Sequence, residues 1–505
     1  MNYILELEDI NNLIDNGDFK LAFKKIQYIL NKNDIKKDYS ILSYLAMYSI
    51  DIGGLDSNKE ASSIGIKILE DNKNEIFKIM DKSSFYYNLG NAKTNFIPNE
   101  FILDIKNNQS FYDIEKLVEI KSCYWKAIKY SLESNIVPEY IVNLGNILKR
   151  QFRLVEALDC YDRVNKLYLD IPQSWINKSE SLILLHQISD TYTIKMLEEI
   201  KNGYINAISS KKTPPQWIEY YKKLIEDYET QIQEIYTKEN IDIDIEDIHQ
   251  TQLEYQQLSN LRKFYLDKNL SLSEHGLYCK CNGSSVDDLR IFIKYIDTDI
   301  MLFTEKILNH IKSEFSFSRS LYYEYLANKT STKTNNESFY FDFDSEVFGL
   351  DIEKIKTSFK LCFGILDKIG MAICELYDLY PANNIVYFQN FWQLDRDNRR
   401  KKFEKIKTPA LLALYSIATD LNDKKDGEWA FFKKYRNNLE HKFMVIYKNK
   451  KPNNSYQFKD EIIFVEESIF IKNLEQLLQL TRSAIFSFVF MVRETSVQKE
   501  RISKR

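Results

Sequence analysis

The residues best suited to chemistry stand together near position 440, in the run Tyr435-Arg436-Asn437-Asn438-Leu439-Glu440-His441-Lys442-Phe443. An arginine carries a permanently charged planar fork that fits a phosphate. An imidazole, with an ordinary pKa near about 6.5, moves protons at neutral pH. The two groups suit internal transesterification of RNA. One moves the proton of the 2′-hydroxyl while the other stabilises the charge that builds on the phosphorane. That step calls for no metal and no bound cofactor. Arg436, Asn437 and His441 are therefore the candidate catalytic residues, with Asn437 orienting the imidazole or the phosphate.

A helix has to position them. Phe432, Tyr435, Leu439, Phe443 and Ile446 recur at spacings of three and four, which predicts one helix over about 427–448 with an apolar stripe. Asn437 and His441 form an i, i+4 pair on one face. Each lies two residues past a stripe member, about 200° around the helix, and so points away from the core. Arg436 lies about 140° from His441 on the same wheel. One copy focuses the pair imperfectly, whereas two copies facing each other across a two-fold axis would interleave them. Arg436 also has a plainer partner one turn on, Glu440.

This pattern resembles the Arg-polar-x3-His motif of the HEPN superfamily over about 200 C-terminal residues. The resemblance implies a helical bundle, commonly a metal-independent endoribonuclease that leaves a 2′,3′-cyclic phosphate. It further implies an active site at a homodimer interface, with the motif supplied by both subunits. Carried over by position, Arg436 and His441 are the catalytic pair and Asn437 the polar residue. In HEPN toxins governed by nucleotidyltransferase antitoxins, a modified tyrosine follows the histidine by two residues. Phe443 stands there, so that route of control is not expected.

Charge is distributed accordingly. The whole chain carries 69 Lys and Arg against 73 Asp and Glu, a net −4, which gives no nucleic-acid or membrane bias. Between Arg396 and Lys451, however, 16 basic residues face 7 acidic ones, a net +9, which leaves −13 for the remainder. Arg399, Arg400, Lys401, Lys402, Lys433, Lys434 and Lys442 lie in this segment and are the candidate RNA-binding residues. Such charge neutralises phosphates without reading sequence.

The wider chain reads as all-α. Only 13 Gly and 8 Pro occur in 505 residues, far below the ~12 % those two residues usually make up. The hydrophobic content of 44 % excludes wholesale disorder. Prolines punctuate helices, and Thr213-Pro-Pro and Thr408-Pro409 read as N-caps followed by proline in the first turn. Residues 1–237 resemble degenerate tetratricopeptide (TPR) repeats. Asn-Leu-Gly-Asn occurs at 88–91 and 143–146, and Pro138 and Pro172 are 34 residues apart. Such an array offers a concave face to a protein or peptide.

Residues 238–300 read as an acidic linker and connecting segment. It carries a helix near 252–267 and a loop with His275, Cys279 and Cys281. That loop supplies three zinc ligands without a fourth at finger spacing, and a structural site wants four. The expectation is a tight turn holding two small apolar thiols, with no metal. Residues 301–505 read as a HEPN-like bundle with helices near 301–328, 353–380, 409–422, 427–448 and 470–495, and a strand-like piece at Glu461–Val465.

Six cysteines are sparse, and the start MNYILELEDINN is acidic. The longest apolar run, Ala484 to Val492, falls well short of the ~20 residues that span a bilayer. A cytoplasmic protein without membrane contact is expected. Two functions compete. One is a dimeric ribonuclease, a regulated toxin or anti-phage effector with a TPR-like sensor half. The alternative is a non-catalytic scaffold that binds RNA, nucleotide or a partner protein.

Overall fold

A computed structural model describes residues 3–98, 109–131, 137–239 (except 169, 190 and 192), 248–291, 298–328, 345–452 and 462–503. Among the described residues the architecture is helical except for one pair of short strands. Packing separates two compact units, Met1–Arg150 and Gln151–Arg505.

The first unit holds α1 (Tyr3–Asp15), α2 (Phe19–Leu30), α3 (Tyr39–Leu55), α4 (Lys59–Asp71), α5 (Lys73–Ile76), α6 (Lys82–Thr94), α7 (Phe111–Tyr130) and α8 (Pro138–Arg150). Neighbouring helices pack in adjacent pairs, α3 on α4 and α6 on α7, as in a helical repeat array. Ile10, Ile26, Leu45, Leu69 and Phe85 form its core. Gly65 sets the approach of α3 and α4, because a Cβ there would lie 2.6 Å from Ile50 Cγ1 and 3.0 Å from the Ala46 carbonyl.

The second unit begins with α9 (Leu154–Leu167), α10 (Pro172–Ser189), α11 (Ile194–Ser209) and α12 (Pro215–Glu239), again packed in succession. Next come α13 (Ile248–Gln257) and α14 (Asn260–Asp267), two helices where one was expected. Ser259 divides them, its hydroxyl capping the second by accepting from the Arg262 N–H. The remainder is α15 (Thr298–Asn328), α16 (Leu350–Tyr377), α17 (Asp397–Lys405), α18 (Pro409–Asp420), α19 (Phe432–His441), β1 (Phe443–Tyr447), β2 (Ile462–Glu466) and α20 (Glu467–Ser503). Helix α20 is the central post. It buries Leu474, Leu478, Ile485, Phe488 and Met491 and packs against α16 and α18 as well as α9 and α10.

That last contact explains why packing divides the chain at 150 and not at 237, the boundary drawn from the repeat pattern. Arg153, at the start of α9, is wholly buried and pairs with Glu156 and with Asp420 of α18. Arg482 of α20 reaches Asp159 of α9 at 3.1 Å. Helices α9 and α10 are thus built into the C-terminal core by ionic contacts that no local pattern signals. The expected acidic linker at 240–247 lies outside the described residues.

Two local expectations change. Thr408 caps α18 as anticipated, accepting from the Leu411 N–H. Thr213 instead turns back, donating to the Ala207 carbonyl at the end of α11. The single helix expected over 427–448 ends at His441, and Phe443–Tyr447 continues as a strand paired in parallel with Ile462–Glu466. Phe443-Met-Val-Ile-Tyr is rich in β-formers, and its buried members Met444 and Ile446 alternate at period two. Phe443, counted in the helical stripe, is 68 % exposed. The strand-like piece near 461–465 is realised as β2.

Among the described residues no helix is long and apolar enough to cross a membrane. The turn feeding α19 is pinned to α18. The Gly427 N–H donates to Asn422 O, and the Trp429 N–H to Asp420 O. A Cβ at Gly427 would sit 2.3 Å from the Thr419 carbonyl and 2.4 Å from that of Asp420, with only backbone to give way. Gly427→Ala is therefore expected to cost about 1–3 kcal/mol, read as a lowered urea midpoint of unfolding.

Candidate functional site

Helix α19 is held by aromatic rings. Phe432 meets Phe359 of α16 edge-on at 5.4 Å, and Tyr435 stacks on Phe470 of α20 at 6.2 Å. Tyr435 and Phe359 lie 6.0 Å apart, which closes a cluster across the three helices. Asn438 is buried beside them and donates to the Lys434 carbonyl. Leu439, placed in the stripe from sequence, is only half-buried.

This seating fixes the directions of the three candidate residues. Arg436 is 18 % exposed and lies against α16, where its Nη1 donates to Asp367 Oδ2 at 2.9 Å. The other Asp367 oxygen accepts from the Phe388 N–H, also at 2.9 Å. Burial pushes the Asp367 carboxyl above the usual carboxylate range, while the Phe388 N–H and Arg436 oppose that rise. The guanidinium also lies over the rings of Phe363 and Tyr387, at 5.6 and 5.7 Å. Asn437 and His441 are both exposed, and His441 occupies the last position of the helix.

Glu440 stands between the two functional groups. Its carboxylate is 3.4 Å from Arg436 Nε and 3.7 Å from His441 Nε2. Within one chain, Arg436 is thus gripped from below by Asp367 and flanked by Glu440, while the imidazole projects into solvent. The i, i+4 contact with Glu440 expected from the sequence is present, alongside a deeper ion pair with Asp367. Asp367 is the residue that sequence reasoning missed. It lies 69 positions upstream, and only the packing of α16 on α19 joins the two.

The basic candidates divide into two groups. Lys401, Lys402, Lys434 and Lys442 are exposed and Lys433 is half-buried. Arg399 and Arg400, expected to face RNA, instead brace the loop between α16 and α17. Arg399 donates to the carbonyls of Leu379, Phe391 and Trp392, and Arg400 to that of Leu394. The reason is local: the loop at 378–396 presents carbonyls that no strand or helix satisfies, and a guanidinium fork at the start of α17 reaches several at once. The braced loop carries Tyr387 and Phe388, so Arg399 supports the surroundings of Arg436 from behind. On α15, Arg319 pairs with Asp287 and the Tyr322 hydroxyl donates to Glu475.

Outside this region, the sulfurs of Cys279 and Cys281 and a ring nitrogen of His275 lie within 4.8 Å of one another.

Comparison with known proteins bears on the C-terminal part. No curated protein matches the chain. Residues 298–495 match the family model described as LA2681-like HEPN. The matched segment opens at the first residue of α15, runs into α20, and contains Arg436, Asn437, His441 and Asp367. The C-terminal bundle of this protein is an LA2681-like HEPN domain.

Proposed function

We propose that the HEPN domain is an endoribonuclease that needs no metal for its chemistry and works as a homodimer through the C-terminal bundle. The observation that carries this reading is the setting of Arg436 and His441 on α19. The arginine is anchored by Asp367, and the histidine is exposed at the helix end with only the Glu440 carboxylate, 3.7 Å away, beside it. An anchored guanidinium is a pre-aimed donor for a phosphorane, and it loses little freedom when substrate arrives. An exposed imidazole is accessible to a 2′-hydroxyl brought in by RNA. Lys401, Lys402, Lys433, Lys434 and Lys442 hold the phosphodiester backbone without reading its sequence. The product is a 2′,3′-cyclic phosphate.

In one chain the arginine points toward α16 and the histidine toward solvent, so the second copy completes the pair. Glu440 is the resting partner of both groups. As a surface i, i+4 contact it is weak, and an arriving phosphate displaces it. The helical array ahead of the domain is the sensing or restraining half, and the biological setting is that of a regulated toxin or an anti-phage effector in the cytoplasm. The test is RNA cleavage by the full chain across a range of protein concentrations that titrates dimerisation, compared with binding of RNA alone. RNA binding without cleavage would favour a scaffold.

Asp367 gives a further prediction. Asp367→Asn keeps an oxygen for the Phe388 N–H but removes the charge that aims Arg436. Cleavage is expected to fall by about 10²-fold, the scale of a misplaced catalytic group, while stability drops by about 1.5–3 kcal/mol for the lost charged hydrogen bond. Single-turnover cleavage and urea unfolding on the same preparation separate the two effects. Partial recovery of rate in Asp367→Glu would confirm positioning, and an unchanged rate in Asp367→Asn would refute it.

A further inference from the structure

From its sequence, the loop between α14 and α15 is a turn with two small thiols. The structure brings more together there. We propose that His275, Cys279 and Cys281 form a zinc site, with three protein ligands and a fourth position left to water or another small donor.

Three observations support it. The ligand atoms of the three residues already lie within 4.8 Å of one another. Bond lengths of about 2.0–2.3 Å place neighbouring ligands of a tetrahedral zinc about 3.4–3.8 Å apart, so modest side-chain rotations close them on an ion. Second, an outer shell is in place. His275 Nδ1 is 3.2 Å from the Tyr278 hydroxyl, which is 2.9 Å from Thr193 Oγ1. This contact fixes the ring and leaves Nε2 to ligate, as second-shell partners do.

Third, the loop is held rigidly. The Cys279 N–H donates to His275 O, the Ser284 hydroxyl to Cys281 O, and the Ser271 hydroxyl to Ser284 O. Three buried arginines then clamp it from the HEPN helices. Arg319 holds Asp287, Arg482 donates to Ser271 O, and Arg493 pairs with Glu274 at 2.7 Å. Such a frame pre-organises the ligands before metal arrives.

The donor set selects the ion. Two soft thiolates and one borderline imidazole suit zinc, whereas magnesium and calcium require oxygen. Coordination releases the two thiol protons to solvent. With Zn²⁺, two thiolates and a neutral imidazole, the site has no net charge and tolerates its half-buried position. Its role is to staple the connecting loop to the HEPN domain, apart from the cleavage chemistry on α19.

The full chain, isolated from cells supplied with zinc and dialysed, is expected to retain one zinc per chain by elemental analysis. Metal-free protein titrated with Co²⁺ is expected to show thiolate-to-cobalt charge-transfer absorption and the strong visible bands of a tetrahedral site. Cys281→Ser and His275→Ala should lose bound zinc, while Cys374→Ser, a buried thiol of α16, should keep it. Wild-type protein with neither zinc nor the charge-transfer band would overturn the site, whatever the variants do. So would a folded Cys281→Ser chain that keeps its full zinc, or a wild type in which Cys279 and Cys281 are joined as a disulfide.

Discussion

Arg436→Ala and His441→Ala are each expected to reduce RNA cleavage by at least about 10²–10⁴-fold, the usual range for losing a general acid–base or a charge-stabilising donor. The two losses should differ in kind. His441 is exposed and its charged neighbour is Glu440, so its truncation is expected to remove proton transfer and leave the fold intact. Arg436 is packed against Asp367, Phe363 and Tyr387. Its removal leaves a half-buried carboxylate facing α19 without its cation. Arg436→Ala should therefore cost stability as well as rate, and Arg436→Lys should restore the charge but not the fork, giving a folded protein with weak activity. If the site needs two subunits, the double variant should be no slower than the slower single one, because residues that act as a unit do not add. Cleavage that persists in His441→Ala would remove the histidine from the mechanism.

The largest expected effect on stability lies at Arg153. Its side chain is fully buried, with Nη2 2.5 Å from Glu156 Oε1, while Nη1 pairs with Asp420. Burial disfavours a charge there, yet the two carboxylates hold the guanidinium protonated and lift its pKa above the ordinary arginine value. Ser416 and Gln151 extend the network, the Ser416 hydroxyl donating to Gln151 Oε1 at 2.8 Å. Arg153→Ala strands two carboxylates in the core and is expected to cost about 3–5 kcal/mol. In a urea titration the loss should fall on the transition of Gln151–Arg505. Replacing Arg153, Glu156 and Asp420 together by apolar residues of similar volume should recover most of it, since a buried triad is often matched by hydrocarbon packing. The same network predicts where the chain can be cut. A chain starting at 151 keeps Arg153 with Asp420 and Asp159 with Arg482, whereas one starting at 238 strands Arg482 and Asp420.

What could be read from sequence follows a physical division between local and distant signals. The helical class, the Thr408-Pro409 start of α18, the β2 piece and the motif on α19 are written in short windows, where caps, periodicity and residue spacing act. The basic segment is local too. Reading failed where a decision depends on partners far along the chain. Phe443 and Ile446 fit a helix by spacing, but Met444 and Ile446 are drawn inward as a strand because Ile462–Glu466 lies alongside. Arg399 has the composition of a phosphate ligand, and only the fold shows the three carbonyls it already serves. Asp367, the anchor of Arg436, lies on α16, and no pattern in its own neighbourhood marks it. Packing divides the chain at 150, a position no local pattern marks, for the same reason, since Arg153 and Asp420 are 267 residues apart. The zinc candidate is the converse case. Its spacing was visible, but its convergence depends on a loop clamped by Arg319, Arg482 and Arg493.

The most direct test of the catalytic reading is the chemistry of the ends produced from a defined RNA by the full-length wild-type chain, compared with the same RNA carrying 2′-deoxy nucleotides at the mapped cut sites. The expected result is fragments ending in 2′,3′-cyclic phosphate and no cutting at the deoxy positions, because the proposed transesterification then has no 2′-hydroxyl to use. Fragments ending in a 3′-hydroxyl, or undiminished cutting at the deoxy positions, would contradict it.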